Sequence, residues 1–180
     1  MQGEQMILKY LCLLPVNLFA ALFGYLLAPV VSLFADDSGW LPNWLNWFQT
    51  PDNSLDGDKG WQTEHLWIWA PRWINRTRWL WRNNMHGFNT SVLGFTPSFG
   101  FDYTFYGKQA VSNRPLVNGY VLRLIKNRNK QRAFQFYYVR KWSCDYCLRI
   151  NLGWKIWQSP KYGKKSQYVF SINPFMGFRE

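Results

Sequence analysis

Between Thr50 and Trp61 the chain reads T-P-D-N-S-L-D-G-D-K-G-W. Three carboxylates, Asp52, Asp56 and Asp58, stand there with the amide of Asn53, and oxygen ligands of this kind are what a hard cation such as calcium takes. The spacing departs from the EF-hand loop, which needs acidic or amide ligands at positions 1, 3 and 5 and a Glu at 12. Pro, Asn, Asp and Gly at this density build tight turns in which aspartates bond backbone N–H groups. The reading is therefore a turn cluster without metal or cofactor, with Asp52, Asp56 and Asp58 as the alternative cation set.

The same loop raises an acid–base chemistry, because His65 or His86 could pair with one of its aspartates. Such a pair would make the chain a hydrolase of lipid or envelope material. No nucleophile elbow, phosphate-cradling glycine loop or H-E-x-x-H accompanies it. The expectation is a non-catalytic protein.

Cys144 and Cys147 form C-D-Y-C. This spacing serves a zinc half-site, a redox pair or a turn disulfide. A second C-x-x-C is missing, and a redox pair needs a helix N-terminus in a thioredoxin-like unit. Free thiols at a hairpin end are expected, and Cys12 is read as a small apolar residue.

The elements that must position these groups are unusual in composition. Aromatic residues make up 20% of the 180 residues, 12 of them Trp, and charged residues only 17%. The net charge of +11 is uneven: residues 1–60 balance to −4 and residues 61–180 to +15. A basic half of this kind suits an anionic partner, either lipid headgroups or nucleic acid.

Tyr10 to Ala35 are 26 consecutive uncharged residues. About 20 apolar residues cross a bilayer as helix. Pro15 and Pro29 predict a bent span over about 11–34, since membrane helices tolerate proline better than soluble ones. Leu33 stands where a signal-peptidase site wants a small residue, so a retained anchor is expected. Lys9 places the N-terminus on the cytoplasmic side, whereas the basic remainder favours the cytoplasm for the C-terminal domain.

Trp40, Trp44 and Trp47 follow at i, i+4, i+7 spacing, and a short helix starting near Pro42 would gather them as a membrane-interface belt. Pro71 suits the start of a second helix and Gly87 its end. Trp69 and Trp73 share one face of that helix, with Arg78 and Arg82 opposite, an arrangement for headgroups or cation–π packing.

The Thr50–Trp61 motif, followed by R-W-L-W-R-N-N-M-H-G-F over Arg78–Phe88, resembles a family of short uncharacterised proteins encoded by tailed bacteriophages and sharing T-P-D-N-x-L-D-G-D-x-G-W. The resemblance implies a phage origin and a bacterial host. It supplies no catalytic residues.

From residue 120 the period changes to two. Strands are expected over 120–126, 132–142, 147–157 and 168–173, with Pro174 ending the last. Residues 93–106 add one or two more, and turns at 127–131 and 158–167 make a meander. Its outward face is read as carrying Arg123, Arg149, Asn151 and Lys155, with Arg78 and Arg82 completing the residues for an anionic partner. Exposed Tyr137 and Trp157 would serve stacking on single strands.

The fold class is thus α+β: an N-terminal transmembrane helix, short Trp-rich helices, and an antiparallel meander of about four to six strands. The expected domains are an anchor (1–35), an interfacial and acidic-loop region (36–88) and a basic β domain (89–180). The expected function is a phage-encoded membrane-associated accessory or minor virion protein. It would act at the host inner membrane, or in the virion, with lipids and with phage structural or host envelope proteins, alone or as an oligomer. The alternatives are a nucleic-acid-binding protein and an envelope hydrolase.

Overall fold

Leu, Phe, Ala and Val fill the N-terminal run, and they fold into one helix, α1 (Gln2–Val31), which ends in a 3-10 turn at Ser32–Phe34. The computed structural model describes residues 2–127, 130–156, 161 and 163–180. At about 1.5 Å per residue the 30 residues of α1 exceed the ~30 Å of bilayer hydrocarbon. Among the described residues, Gly3–Phe34 is the one segment long and apolar enough to cross a membrane. Both prolines lie inside it.

Backbone contacts gather the chain into two units, Met1–Leu14 with Gly94–Glu180, and Pro15–Leu93. Helix α1 thus contributes to both units.

The first unit is an antiparallel sheet, β1 (Asp102–Gly107), β4 (Gly119–Asn127), β5 (Lys130–Lys141), β6 (Tyr146–Trp154) and β7 (Tyr168–Gly177), in the spatial order β1-β4-β5-β6-β7. A small hairpin of β2 (Ser112–Asn113) and β3 (Leu116–Val117) interrupts the meander. Alternation of apolar residues made β4, β5, β6 and β7 legible, with one exception at the end, whereas the β2–β3 hairpin carried no such signal. β7 continues through Pro174 to Gly177. It is an edge strand whose pairing with β6 shifts register between Cys147 and Arg149. An irregular edge is where a residue without an N–H is tolerated.

Register assigns the two faces. Val121, Arg123 and Ile125 share a face with Gln135, Tyr137 and Val139, and across β6 with Cys147, Arg149 and Asn151. This face is not outward. Val121, Ile125, Val139 and Cys147 are fully buried, and Val111, Leu116 and Phe178 pack over part of it. Arg123 and Asn151 are buried with them: Arg123 Nη1 donates to Gln135 Oε1 at 3.1 Å, and Gln135 Nε2 to Asn151 Oδ1 at 2.9 Å. Tyr137 is half-buried, and its hydroxyl donates to Asn113 Oδ1 at 3.3 Å. Arg149 and Lys155 are half-buried. Two of the residues expected on a basic outward face, Arg123 and Asn151, are therefore held in an interior polar network through Gln135. Trp157, the turn residues 128–129 and residues 158–160 and 162 of the expected loop lie outside the described residues.

On the other face Trp154 and Tyr168 are buried around Tyr10 of α1, whose ring stacks on Tyr168 at 4.9 Å between centroids. The Tyr168 hydroxyl donates to the Tyr10 carbonyl at 3.0 Å, and the Tyr10 hydroxyl to the Val169 carbonyl at 3.1 Å.

Cys144 is exposed and Cys147 buried at the β5–β6 turn, both as free thiols. Burial raises the Cys147 pKa despite the charge of Arg149, and its thiol donates to the Met176 carbonyl at 3.3 Å.

Candidate functional site

The second unit builds its site from the acidic loop upward. Asp58 takes the N-cap of α2 (Lys59–Glu64), its Oδ1 accepting from the Trp61 N–H at 2.7 Å. Such a cap satisfies one of the open donors at a helix start. Gly57, at φ +81°, makes the turn that leads into it.

Asp56 faces the other way, toward α3 (Arg72–Arg82). Its two oxygens accept from Nε and Nη2 of Arg72 at 3.1 and 2.6 Å, and from Nε and Nη2 of Arg76 at 2.9 and 3.3 Å. The Arg76 side chain is nearly buried, and it also donates to the Ala35 and Asp37 carbonyls. Burial alone would raise the Asp56 carboxyl, but the bonds and charges of Arg76 and Arg72 outweigh it and hold the pKa below the usual carboxylate range. Among the described residues no group of three His, Cys, Asp or Glu is placed to hold a metal ion. Of the three carboxylates considered for a cation or for acid–base work, Asp56 clamps two guanidinium groups, Asp58 caps a helix, and Asp52 is exposed in the turn. His65 lies 3.9 Å from Glu64, and His86 opens α4 (His86–Ser91).

Helix α3 starts after Pro71 as its sequence implies, but it stops at Arg82. Met85 then adopts φ +49°, and Gly87 lies inside α4 instead of ending α3. Gly87 is required by close approach: a Cβ there would collide with the carbonyl oxygens of Asn46 and Gln49. Near Pro42 only a 3-10 turn, Asn43–Leu45, forms. Trp40, Trp44 and Trp47 are exposed around it, with Trp44 edge-on to Phe34 and Trp47 edge-on to Phe88.

Along the Pro15–Val31 half of α1, the buried positions Asn17, Ala20, Gly24, Ala28 and Val31 recur every three or four residues. Small residues let α3 and α4 come close. Asn17 Nδ2 donates to Asn89 Oδ1 at 2.8 Å, and Asn84 Nδ2 to the Ala21 carbonyl at 2.8 Å. Pro29 has no N–H to offer the Tyr25 carbonyl four residues back; the Trp81 indole N–H donates to it instead, at 3.0 Å. Trp81→Phe is expected to destabilise this unit by about 1 kcal/mol, the usual net worth of one hydrogen bond, measured by chemical unfolding in detergent. The remaining circumference of α1 is apolar and uncovered, with Leu18, Leu22, Leu26 and Val30 all exposed.

Between α2 and α3 the chain makes the tip Leu66-Trp67-Ile68-Trp69, where Ile68 is 93% and Trp69 77% exposed. Trp67 and Trp69 stack at 5.3 Å. Asn75 pins the tip from below, accepting from the Trp67 N–H at 3.0 Å and donating to its carbonyl at 2.9 Å. Trp69 therefore precedes the helix on which the sequence had placed it. Beside the tip lies a groove of about 710 Å³, walled by Trp61, Trp67, Trp73, Ile74 and Trp81 with Arg78 among them. The Arg78 guanidinium sits 3.5 Å from the Trp67 ring centre and 5.2 Å from that of Trp61, and Arg82 lies 5.5 Å from Trp61.

Of the expected site residues, Trp73 and Arg78 line this groove and Arg82 lies beside its Trp61 wall, whereas Arg123, Arg149 and Lys155 belong to the sheet unit. Trp61, Trp67, Ile68 and Trp81 were missed. The signal available for two of them, Trp67 and Ile68, was the unbroken apolar run L-W-I-W between His65 and Ala70.

The model of one protein family, described as a family of unknown function, matches residues 1–180. No curated protein and no solved structure matches the chain.

Proposed function

Since the chain belongs to that family, DUF7338, from end to end, we propose a function from its surface chemistry: a non-catalytic accessory protein anchored in a membrane. One observation carries this reading, the uncovered apolar circumference of α1 together with the exposed 66–69 tip. Monomers in water rarely leave contiguous apolar patches beyond roughly a few hundred Å² uncovered. Lipid is the cover that suits a long helix flanked by indoles, because Trp settles at the headgroup level with its ring apolar and its N–H wet.

The motif of Thr50–Trp61 supports a tailed-phage origin, and with it action at the host inner membrane or in the virion during assembly or genome entry. The balance of +15 over residues 61–180 favours the cytoplasmic leaflet for the C-terminal domain, where anionic lipids attract basic segments. Phage structural proteins and host envelope proteins are the partners this placement offers.

Expressing the full-length chain in bacteria and washing isolated membranes at alkaline pH and high salt tests the reading. The protein is expected in the pellet. Release into the supernatant would overturn it, and salt-sensitive DNA binding by the released protein would establish the nucleic-acid alternative.

A further inference from the structure

We propose that the groove beside the 66–69 tip seats the headgroup of an anionic phospholipid, with Arg78 and Arg82 as the cations that recognise its phosphate. The proposal rests on the membrane reading and deepens it.

The first ground is uncompensated charge. Arg72 and Arg76 share Asp56, whereas among the described residues no carboxylate lies within 4 Å of Arg78 or Arg82. The two are four residues apart on α3, an arrangement in which like charges repel, and both face the ring of Trp61. Of the Arg78 N–H groups only Nη1 is hydrogen-bonded to the described residues, donating to the His65 carbonyl at 2.9 Å and to Asn75 Oδ1 at 3.1 Å. Its Nε and Nη2 donate to no described residue, which leaves one edge of the fork for an anion. Burial lowers the Arg78 pKa from its ordinary value, as expected of a cation held without a counter-charge.

The second ground is an orphaned donor. Trp61 is 4% exposed, lines the groove, and its indole N–H is buried with no acceptor among the described residues. A guanidinium lines the groove and one of its indole walls carries an unmet N–H, so the complementary ligand brings oxygen acceptors and negative charge.

The walls decide between ligands. Four indoles and Ile74 leave little polar lining, which suits the glycerol and upper acyl chain of a lipid better than a hydrated free anion. Pro29, which also lines the groove, is two residues from the end of α1. A span ending at Val31 would bring this part of the protein to headgroup depth.

The test uses the full chain in detergent, titrated with phosphatidylglycerol or phosphatidylcholine carrying brominated acyl chains that quench nearby indoles. Wild type is expected to prefer phosphatidylglycerol, and each of Arg78→Gln and Arg82→Gln to weaken that preference by about fivefold, the usual worth of one cation at an anionic surface. Arg82→Gln is the cleaner probe, since Arg78 also holds the 65–71 segment. Both variants are expected to remain in the alkaline-washed pellet, which separates failure of the site from failure of the anchor. Equal quenching by both lipids in wild type, or an unchanged preference in Arg82→Gln, would overturn the proposal. So would full displacement of the lipid by millimolar inorganic phosphate, which would identify a free-anion site.

Discussion

Asp56→Ala is expected to destabilise the helical unit by about 3 kcal/mol, because breaking a buried pair leaves its partner charge uncompensated. The partner that matters is Arg76, whose side chain is 8% exposed against 59% for Arg72. Arg72→Ala should therefore cost far less than Asp56→Ala, as expected of an exposed, solvent-screened pair. Chemical unfolding of the three proteins in one detergent reads both values, and equal losses for Asp56→Ala and Arg72→Ala would contradict the asymmetry. The pH dependence has a fixed sign. The folded pKa of Asp56 is depressed, so its contribution is fully present above the unfolded value of about 3.9 and is lost as pH falls through the folded one. Asp56→Asn should flatten the acid limb of the stability profile while leaving the neutral-to-alkaline limb parallel to wild type.

Gly24→Leu should be comparably damaging for a different reason. A Cβ at Gly24 would collide with Asn84 Oδ1 and come within 2.7 Å of Met85 Cγ. Overpacking of this kind costs about 1–3 kcal/mol. Parting α1 from α3 and α4 also removes the Asn84–Ala21 and Asn17–Asn89 bonds, at roughly 1 kcal/mol each. The loss expected is about 3 kcal/mol, with faster proteolysis between residues 82 and 86. Leu26→Ala, on the 66% exposed side of the same helix, should change unfolding by less than about 0.5 kcal/mol in detergent. If the two substitutions behave alike, α1 does not pack through its small-residue seam.

These positions also mark what the sequence could disclose. The sheet was legible because apolar alternation from residue 120 survives in the strands. Arg123 and Asn151 were read as solvent residues, and nothing local reveals that Gln135 bonds both of them under the cover of Val111 and Leu116. Helix α1 was legible from length alone. Its seam was hidden, since Ala20, Gly24 and Ala28 are simply small residues in an apolar run until α3 is seen against them. The acidic loop announced turns correctly, but whether Asp56 meets a cation or a guanidinium depends on Arg72 and Arg76, 16 and 20 residues further on. Gly87 carried a helix-end signature that the left-handed Met85 pre-empted two residues earlier.

The indole of Trp81 on the Tyr25 carbonyl has a consequence for biosynthesis. Chains are made from the N-terminus, so α1 leaves the ribosome well before its partner does. The residue that satisfies the carbonyl opposite Pro29 is 56 positions downstream. Until it arrives, the helix carries an open acceptor and a bare seam on one side. On the membrane reading proposed above, insertion and folding would be separate events in time, and a nascent chain arrested before residue 81 should be integrated yet still open to chaperones and proteases along that seam.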